Sequence, residues 1–137
     1  MSNTMIEEQK LIVLFGATGQ TGKKLLPLLL DAGYRVRAIV RDPKKVQLSH
    51  QNLELVTGDI QNLNQITEMI KGAYGIISLV GSPLGNRHYK GGLLLPFIKA
   101  VHEAMLAQGI KHLLVQSGAV AKSSADSYSF FKHAVLR

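Results

Sequence analysis

Apolar residues along this chain alternate between short continuous runs and longer segments where they recur every three or four positions. A continuous run of four to eight apolar residues is typical of a buried strand, and the longer recurrence is typical of a helix with one apolar face. Five strands are predicted on this basis, at residues 11–15, 34–40, 53–59, 74–81 and 111–118. The first, LIVLF, has no polar position, which predicts a strand covered on both faces.

Segments with helical features follow these strands. They are predicted at residues 23–33, within 41–51, and at 62–72, 93–109 and 127–137. Leu63, Ile66, Thr67 and Ile70 lie at helical spacing in the third segment, and Leu94, Phe97, Ile98, Val101 and Met105 form one face of an amphipathic helix in the fourth. Gly33, Gly72 and Gly109 are expected to end helices. Pro27 should kink the first helix or remove one of its hydrogen bonds.

Alternation of strands and helices predicts the fold class. It is typical of an α/β protein with a doubly wound parallel sheet, Rossmann-like, of about five strands with helices on both faces. No internal repeat or low-complexity linker divides the 137 residues. We expect a polar N-terminal tail at 1–10 and one domain at 11–137.

Composition and charge narrow the function classes. The chain has no cysteine and its five histidines lack the spacing of metal ligands, so no metal site is expected. Its N-terminal residues are polar and no apolar run could span a bilayer, which favours a cytoplasmic protein without a membrane partner. The net charge is +7, but the basic residues are spread singly, so a phosphate-bearing ligand is favoured over nucleic acid.

The stretch FGATGQTGKK carries the main functional signal. Gly16, Gly19 and Gly22 lie between the first strand and the first helix, where a parallel sheet of this class binds its ligands. There, Gly16 can make the tight turn, Gly19 lets the backbone approach a pyrophosphate, and Gly22 lets the helix pack closely on the sheet. The N-terminus of the helix then offers unpaired N–H groups and partial positive charge to the phosphates. A plain glycine-rich turn without a ligand is the alternative.

The GxxGxxG spacing of this loop resembles the fingerprint of the extended and atypical short-chain dehydrogenase/reductases, most closely the NmrA-like proteins and the flavin and biliverdin reductases. AGYRVRAIVRDPKK, VTGDI and AQGIKHLLVQSGA agree with that family in order and spacing. The resemblance covers residues 11 to about 132 and implies dinucleotide binding. The cofactor-binding residues it implies in the loop are Gly16, Thr18, Gly19, Gln20, Thr21 and Gly22.

The second strand points to the type of dinucleotide. An acid at its end takes the ribose hydroxyl of NAD, whereas an arginine nearby accommodates the 2′-phosphate of NADP. Here Arg41 follows the strand, then Asp42 and Lys44. Arg41 is the first candidate for the phosphate, with Arg37 and Lys44 as weaker candidates. NADP is therefore favoured, and Asp42 leaves NAD open.

Two further groups follow from the resemblance. It implies that Asp59 and Ile60 lie along the adenine, and that Leu79, Val80 and Gly81 border the ribose and nicotinamide.

The resemblance also implies a catalytic set. In the family a serine after the fifth strand orients a substrate carbonyl, a tyrosine donates a proton, and a lysine four residues later lowers the tyrosine pKa and holds the nicotinamide ribose. Ser117, Tyr128 and Lys132 match that order, and positions i and i+4 share a helix face. The alternative is that Tyr128 packs beside Phe130 and Phe131, with Lys132 in solvent.

The expected function is the NADP(H)-binding part of an atypical short-chain oxidoreductase that passes hydride to a small carbonyl, quinone or flavin-like acceptor. A non-catalytic NADP(H)-sensing protein of NmrA-like type is the alternative. Relatives continue with two more strands and a region that shapes the substrate pocket, so this chain looks C-terminally short. An unfinished sheet would leave the fifth strand as an exposed edge, where a homo-oligomer could form.

Overall fold

A computed structural model of the chain describes residues 9–80 and 94–116. The strands form one parallel sheet in the order β3-β2-β1-β4-β5. Their bounds are β1 Leu11–Phe15, β2 Arg35–Val40, β3 Leu53–Thr57, β4 Gly75–Ser78 and β5 His112–Val115. The five predicted strands are therefore confirmed, although four of them are shorter than predicted.

Three α-helices and two 3-10 segments lie among the described residues. The helices are α1 Gln20–Asp31, α2 Ile66–Met69 and α3 Leu94–Gln108, and the 3-10 segments are Pro43–Lys45 and Leu63–Gln65. The predicted fifth helix, residues 127–137, lies outside the described residues, as does most of the tail at 1–10.

Both faces of the sheet are covered. Helix α1 packs on the face that carries Leu14, Val36 and Val40. On the opposite face, α2 and α3 cover Phe15 and Ile76. All five residues of β1 are buried, as its apolar run predicts. The doubly wound, Rossmann-like α/β fold is confirmed, and the strand order reverses at β1, between β2 and β4.

Helix α1 ends as predicted at glycine. Gly33 has φ +93°, its N–H donates to the carbonyl of Leu30, and the N–H of Tyr34 donates to the carbonyl of Leu29. This pair of bonds satisfies carbonyls that the last turn leaves open and turns the chain toward β2. The helix continues through Pro27, which has no N–H to donate to the carbonyl one turn earlier.

The segment predicted as one helix at 62–72 is divided, and this prediction was partly wrong. A 3-10 turn precedes α2, so the angular step between residues changes at Gln65. Leu63 and Thr67, which the helical spacing grouped with Ile66 and Ile70, are exposed. Met69 is buried beside Ile66 and Ile70 instead.

Arg37 joins three elements of the α2 face. Its Nε donates to Glu54 Oε2 of β3 over 3.0 Å, and its Nη1 donates to the carbonyls of Met69 and Lys71 over 3.0 and 2.9 Å. A cation at the C-terminus of a helix satisfies carbonyls that the helix leaves open. Arg37 therefore fixes α2 against the sheet, and its predicted secondary role toward a 2′-phosphate is not supported by these contacts.

We predict that Arg37→Met lowers the free energy of unfolding by about 1 to 3 kcal/mol, since it leaves two carbonyls and a carboxylate without their donor. Arg35→Met is the matched control, because Arg35 is exposed on the same strand. Urea denaturation of both variants measures the difference. Equal stabilities would contradict the role assigned to Arg37.

Candidate functional site

The carboxyl ends of β1 and β4 approach each other closely at Gly16. This glycine has φ +89°, and a Cβ built on it would lie 2.9 Å from the carbonyl carbon of Leu79 and 3.1 Å from the nitrogen of Val80. Leu79 is bonded back to β1, because its N–H donates to the carbonyl of Phe15 over 2.9 Å. No other residue type fits Gly16 without moving backbone.

Gly22 is required for a second close approach. It lies in the first turn of α1, and a Cβ there would overlap the carbonyl oxygen of Gly16 and lie 2.7 Å from Cα of Ala17. Helix α1 therefore packs directly on the loop that precedes it. The predicted use of one glycine for close helix packing agrees with this geometry.

Gly19 differs from both. Its backbone is extended, with φ −74° and ψ 175°, which any residue can adopt. The nearest atom to a Cβ built there is the carbonyl oxygen of Gly16 at 3.6 Å, an ordinary contact. Nothing in the described part of the chain requires a glycine at this exposed position. The missing side chain leaves room on the outside of the loop, where a ligand can reach the backbone.

Helix α1 begins directly after this bare position. Gly19 is its N-cap, no side chain caps the helix, and its first turn holds no acidic residue. The first N–H groups of a helix have no partner within it, and they carry partial positive charge. The predicted binding residues Gln20 and Thr21 lie in this turn, and both are exposed, whereas Thr18 is half-buried in the loop. The local arrangement suits an anion such as a phosphate.

At the end of β2, Arg41 and Asp42 differ in whether a contact within the protein holds the side chain. Arg41 is exposed, and within the described residues no hydrogen bond or ion pair holds its side chain. Asp42 Oδ1 instead accepts a bond of 3.0 Å from the N–H of Lys44, which caps the 3-10 turn at Pro43–Lys45. Lys44 is exposed in that turn. A local bond thus engages Asp42, whereas Arg41 is available to a ligand.

The remaining predicted residues lie along the same edge of the sheet. Asp59 and Ile60 follow β3 and are half-buried, and Asp59 Oδ1 accepts a bond of 2.9 Å from the N–H of Gln61. Leu79 and Val80 follow β4 and are half-buried beside Gly16. The fold brings these residues to the carboxyl ends of neighbouring strands, near the reversal in strand order where such sheets bind ligands.

Gln116 is a contact residue at this edge that the sequence did not reveal. It follows β5, and its side-chain Nε2 donates to Thr21 Oγ1 of α1 across a distance of 3.4 Å. The residues are 95 positions apart, and no motif links a glutamine after a strand to a threonine in the first turn of a helix. Only the strand order, which places β4 between β5 and β1, brings them together.

A groove of about 600 Å³ lies elsewhere, on the α2 face beside β3. Arg37, a weaker candidate for the 2′-phosphate, lines it, whereas the glycine loop, Arg41 and Lys44 do not. Arg37, Glu54, Glu68 and Lys71 contribute its charged lining. The guanidinium of Arg37 is already engaged there by Glu54 and by two backbone carbonyls. A residue that anchors α2 thus lines this groove.

Ser117, Tyr128, Lys132 and Gly81 lie outside the described residues. Within residues 9–80 and 94–116, no group of three histidine or acidic side chains is placed to hold a metal ion. No helix in those ranges is long and apolar enough to cross a membrane.

Alanine substitutions should separate the three glycines of the loop. Gly16→Ala and Gly22→Ala should each lower the free energy of unfolding by about 2 kcal/mol or more, because backbone atoms occupy the space of the new methyl group. Gly19→Ala should change it by less than about 1 kcal/mol. Thermal unfolding monitored by circular dichroism measures all three.

Gly33→Ala is the control for the cost of a positive φ alone, since a Cβ there meets no atom within 4 Å. Its loss should be about 1 kcal/mol, below that of Gly16→Ala. A destabilisation of Gly19→Ala as large as that of Gly22→Ala would show that the protein itself needs the bare position.

Comparison with known proteins identifies the family that the chain matches. The family described as NAD(P)H-binding matches residues 16–137. An NmrA-like family domain-containing oxidoreductase of Penicillium ochrochloron is 31% identical over 141 residues, covering 94% of this chain and 40% of that protein. A ceramide reductase of Caulobacter vibrioides is 31% identical over 130 residues, covering 90% and 39%. The chain thus spans about two fifths of the length of these relatives.

Solved structures share the fold. A variant of uronate dehydrogenase from Agrobacterium tumefaciens in complex with NAD has a TM-score of 0.64 at 23% identity, and the match covers 80% of this chain and 41% of that one. The enzyme WbmH of Bordetella bronchiseptica in complex with NAD+ has a TM-score of 0.65 at 18% identity, covering 77% and 38%. At these identities the likeness concerns the fold alone.

Proposed function

The chain belongs to the NAD(P)H-binding family, and we propose that it binds NADP(H) in preference to NAD(H), as the cofactor-binding part of an oxidoreductase of the atypical short-chain type. The observation that carries the binding site is Gly19. No contact in the described part of the protein requires a glycine at this position, and the residue lies at the uncapped N-terminus of α1. The backbone N–H groups of Gln20 and Thr21 would hold the pyrophosphate there.

The residues that follow β2 and β3 would hold the adenosine half. Asp59 and Ile60 would border the adenine, and Arg41 with Lys44 would face the 2′-phosphate. A guanidinium can bind a phosphate with two hydrogen bonds. Because Arg41 is exposed and makes no side-chain bond within the described residues, it would give up none of these on binding the phosphate. The bond from Lys44 to Asp42 supports the preference for NADP, because it turns this acid toward its own backbone. Leu79, Val80 and Gly81 would border the nicotinamide half.

Arg41→Ala should weaken NADPH binding by about tenfold, the loss of one charge-assisted contact, and change NADH binding by less than about twofold. Arg35→Ala, at the amino end of the same strand, is the matched control and should leave both affinities unchanged. Calorimetric titration of each variant with both cofactors gives the ratios. Equal losses for NADPH and NADH after Arg41→Ala would contradict recognition of the 2′-phosphate.

For the reaction, we infer that the protein reduces a small carbonyl, quinone or flavin-like acceptor. The nicotinamide supplies the hydride when it is bound. Ser117 would orient the acceptor oxygen and Tyr128 would donate the proton. Lys132 would favour the loss of that proton and hold the ribose. The set rests on the order of these residues after β5 and on the oxidoreductases among the relatives.

A non-catalytic NADP(H) sensor is the second candidate. The family that matches residues 16–137 is defined by NAD(P)H binding and not by a reaction. Cofactor binding alone suits a sensor as well as a reductase. A sensor would bind the cofactor and change its contacts with a partner protein, without a need for Tyr128.

Tyr128→Phe separates the two candidates. For a reductase, we expect the rate of NADPH oxidation with a panel of aldehydes, quinones and flavins to fall by at least about a hundredfold, the usual contribution of a proton donor, with little change in NADPH affinity. Absorbance at 340 nm follows the rate. NADPH binding without turnover by either the wild-type protein or the variant would reject hydride transfer and support the sensor.

A further inference from the structure

The bond between Gln116 and Thr21 crosses the edge of the sheet where the cofactor is proposed to lie. Gln116 follows β5 and Thr21 lies in the first turn of α1, while β4 lies between β5 and β1 in the sheet. The amide Nε2 is the donor and the hydroxyl oxygen is the acceptor, over 3.4 Å. Both side chains are exposed, so a ligand at this edge can reach them.

This bond contributes little to holding the protein together. It is long, and it joins two exposed side chains, a type of contact with a small net effect on stability. The end of β5 is already held by the backbone bond from the Gln116 N–H to the carbonyl of Ser78, at 2.9 Å. The start of α1 is fixed by Gly22 against the loop and by the buried Leu26. The side-chain bond is therefore not what anchors β5 or α1.

The bond from Gln116 determines which role the Thr21 hydroxyl has left, donor or acceptor. A hydroxyl group has one proton to donate and two lone pairs that accept. When the glutamine amide donates to one lone pair, the hydroxyl proton is left for a different acceptor. Next to the uncapped, partly positive end of α1, the acceptor that the site favours is an anionic oxygen.

We propose that Gln116 is a positioning residue for the cofactor: its amide directs the hydroxyl of Thr21 so that this hydroxyl donates its proton to a phosphate oxygen of the dinucleotide. This inference rests on the proposed function and adds a residue that follows β5 to a site otherwise built from the glycine loop and the residues that follow β2, β3 and β4. Gln116 acts through Thr21, so its effect on affinity must disappear when Thr21 has no hydroxyl.

A double-mutant cycle tests this dependence. NADPH affinity is measured by calorimetry for the wild-type chain, Gln116→Leu, Thr21→Val and the double variant. We expect Thr21→Val to weaken binding by about tenfold, the loss of one hydrogen bond to a charged group. Gln116→Leu should weaken it about three- to fivefold, and the double variant should match Thr21→Val within about 1.5-fold.

Two further substitutions test the direction of the bond. Gln116→Glu has acceptors only, so Thr21 would donate its proton to the carboxylate, and affinity should fall further than in Gln116→Leu. Thr21→Ser keeps the hydroxyl, so its NADPH affinity should lie within about twofold of wild type. In the Thr21→Ser background, Gln116→Leu should weaken binding as much as it does in the wild-type chain. Gln108→Leu is the matched control, because Gln108 also donates an exposed side-chain bond, to the carbonyl of Thr67 on another part of the surface.

Melting temperatures of the variants without cofactor should lie within about 2 °C of wild type, since the bond is exposed. Unchanged affinity in Gln116→Leu, or additive losses in the double variant, would overturn the inference while the proposed function stands. Binding of neither NADPH nor NADH by the wild-type chain would overturn the proposed function, and this inference with it.

Discussion

The contact between Gly16 and the backbone of Leu79 and Val80 is the constraint on which the site depends. It holds the carboxyl ends of β1 and β4 so close that a single methyl group at Gly16 would lie 2.9 Å from a carbonyl carbon. Gly22 then seats α1 on the same loop. With both fixed, the N-terminus of α1 opens at the reversal of strand order, and Gly19 is left bare on its outer side. The arrangement that suits an anion at this helix N-terminus thus follows from backbone packing.

Much of the fold could be predicted from apolar patterning, because the sheet is buried and its strands have short apolar runs. The buried β1 and the glycine that ends α1 followed directly from residue type. The exposure of Leu63 and Thr67 did not follow from residue type, since a 3-10 turn shifted the residues that reach the core. The contacts of Arg37, a weaker candidate for the 2′-phosphate, could not be predicted either, because carbonyls distant in sequence at the end of α2 hold its side chain.

The candidate site was predictable where it is local in sequence. The glycine loop, Arg41 and the residues after β3 and β4 lie at one edge of the sheet because parallel strands bring their carboxyl ends together. The separate uses of the three glycines could be assigned from their spacing, but the backbone atoms that lie opposite Gly16 and Gly22 could not be identified from it. The link from Gln116 to Thr21 depends on strand order, and no pattern within either segment predicts it.

If the exposed backbone after Gly19 binds the phosphates of the dinucleotide, the amide signals of this backbone must shift when the cofactor binds. In ¹H–¹⁵N spectra of the chain labelled with ¹⁵N and titrated with NADPH, we expect the largest shifts at Gly19, Gln20 and Thr21, with further shifts at Arg41. Saturable shifts confined to the groove at Arg37 and Glu54, or none at all, would contradict phosphate binding at this backbone.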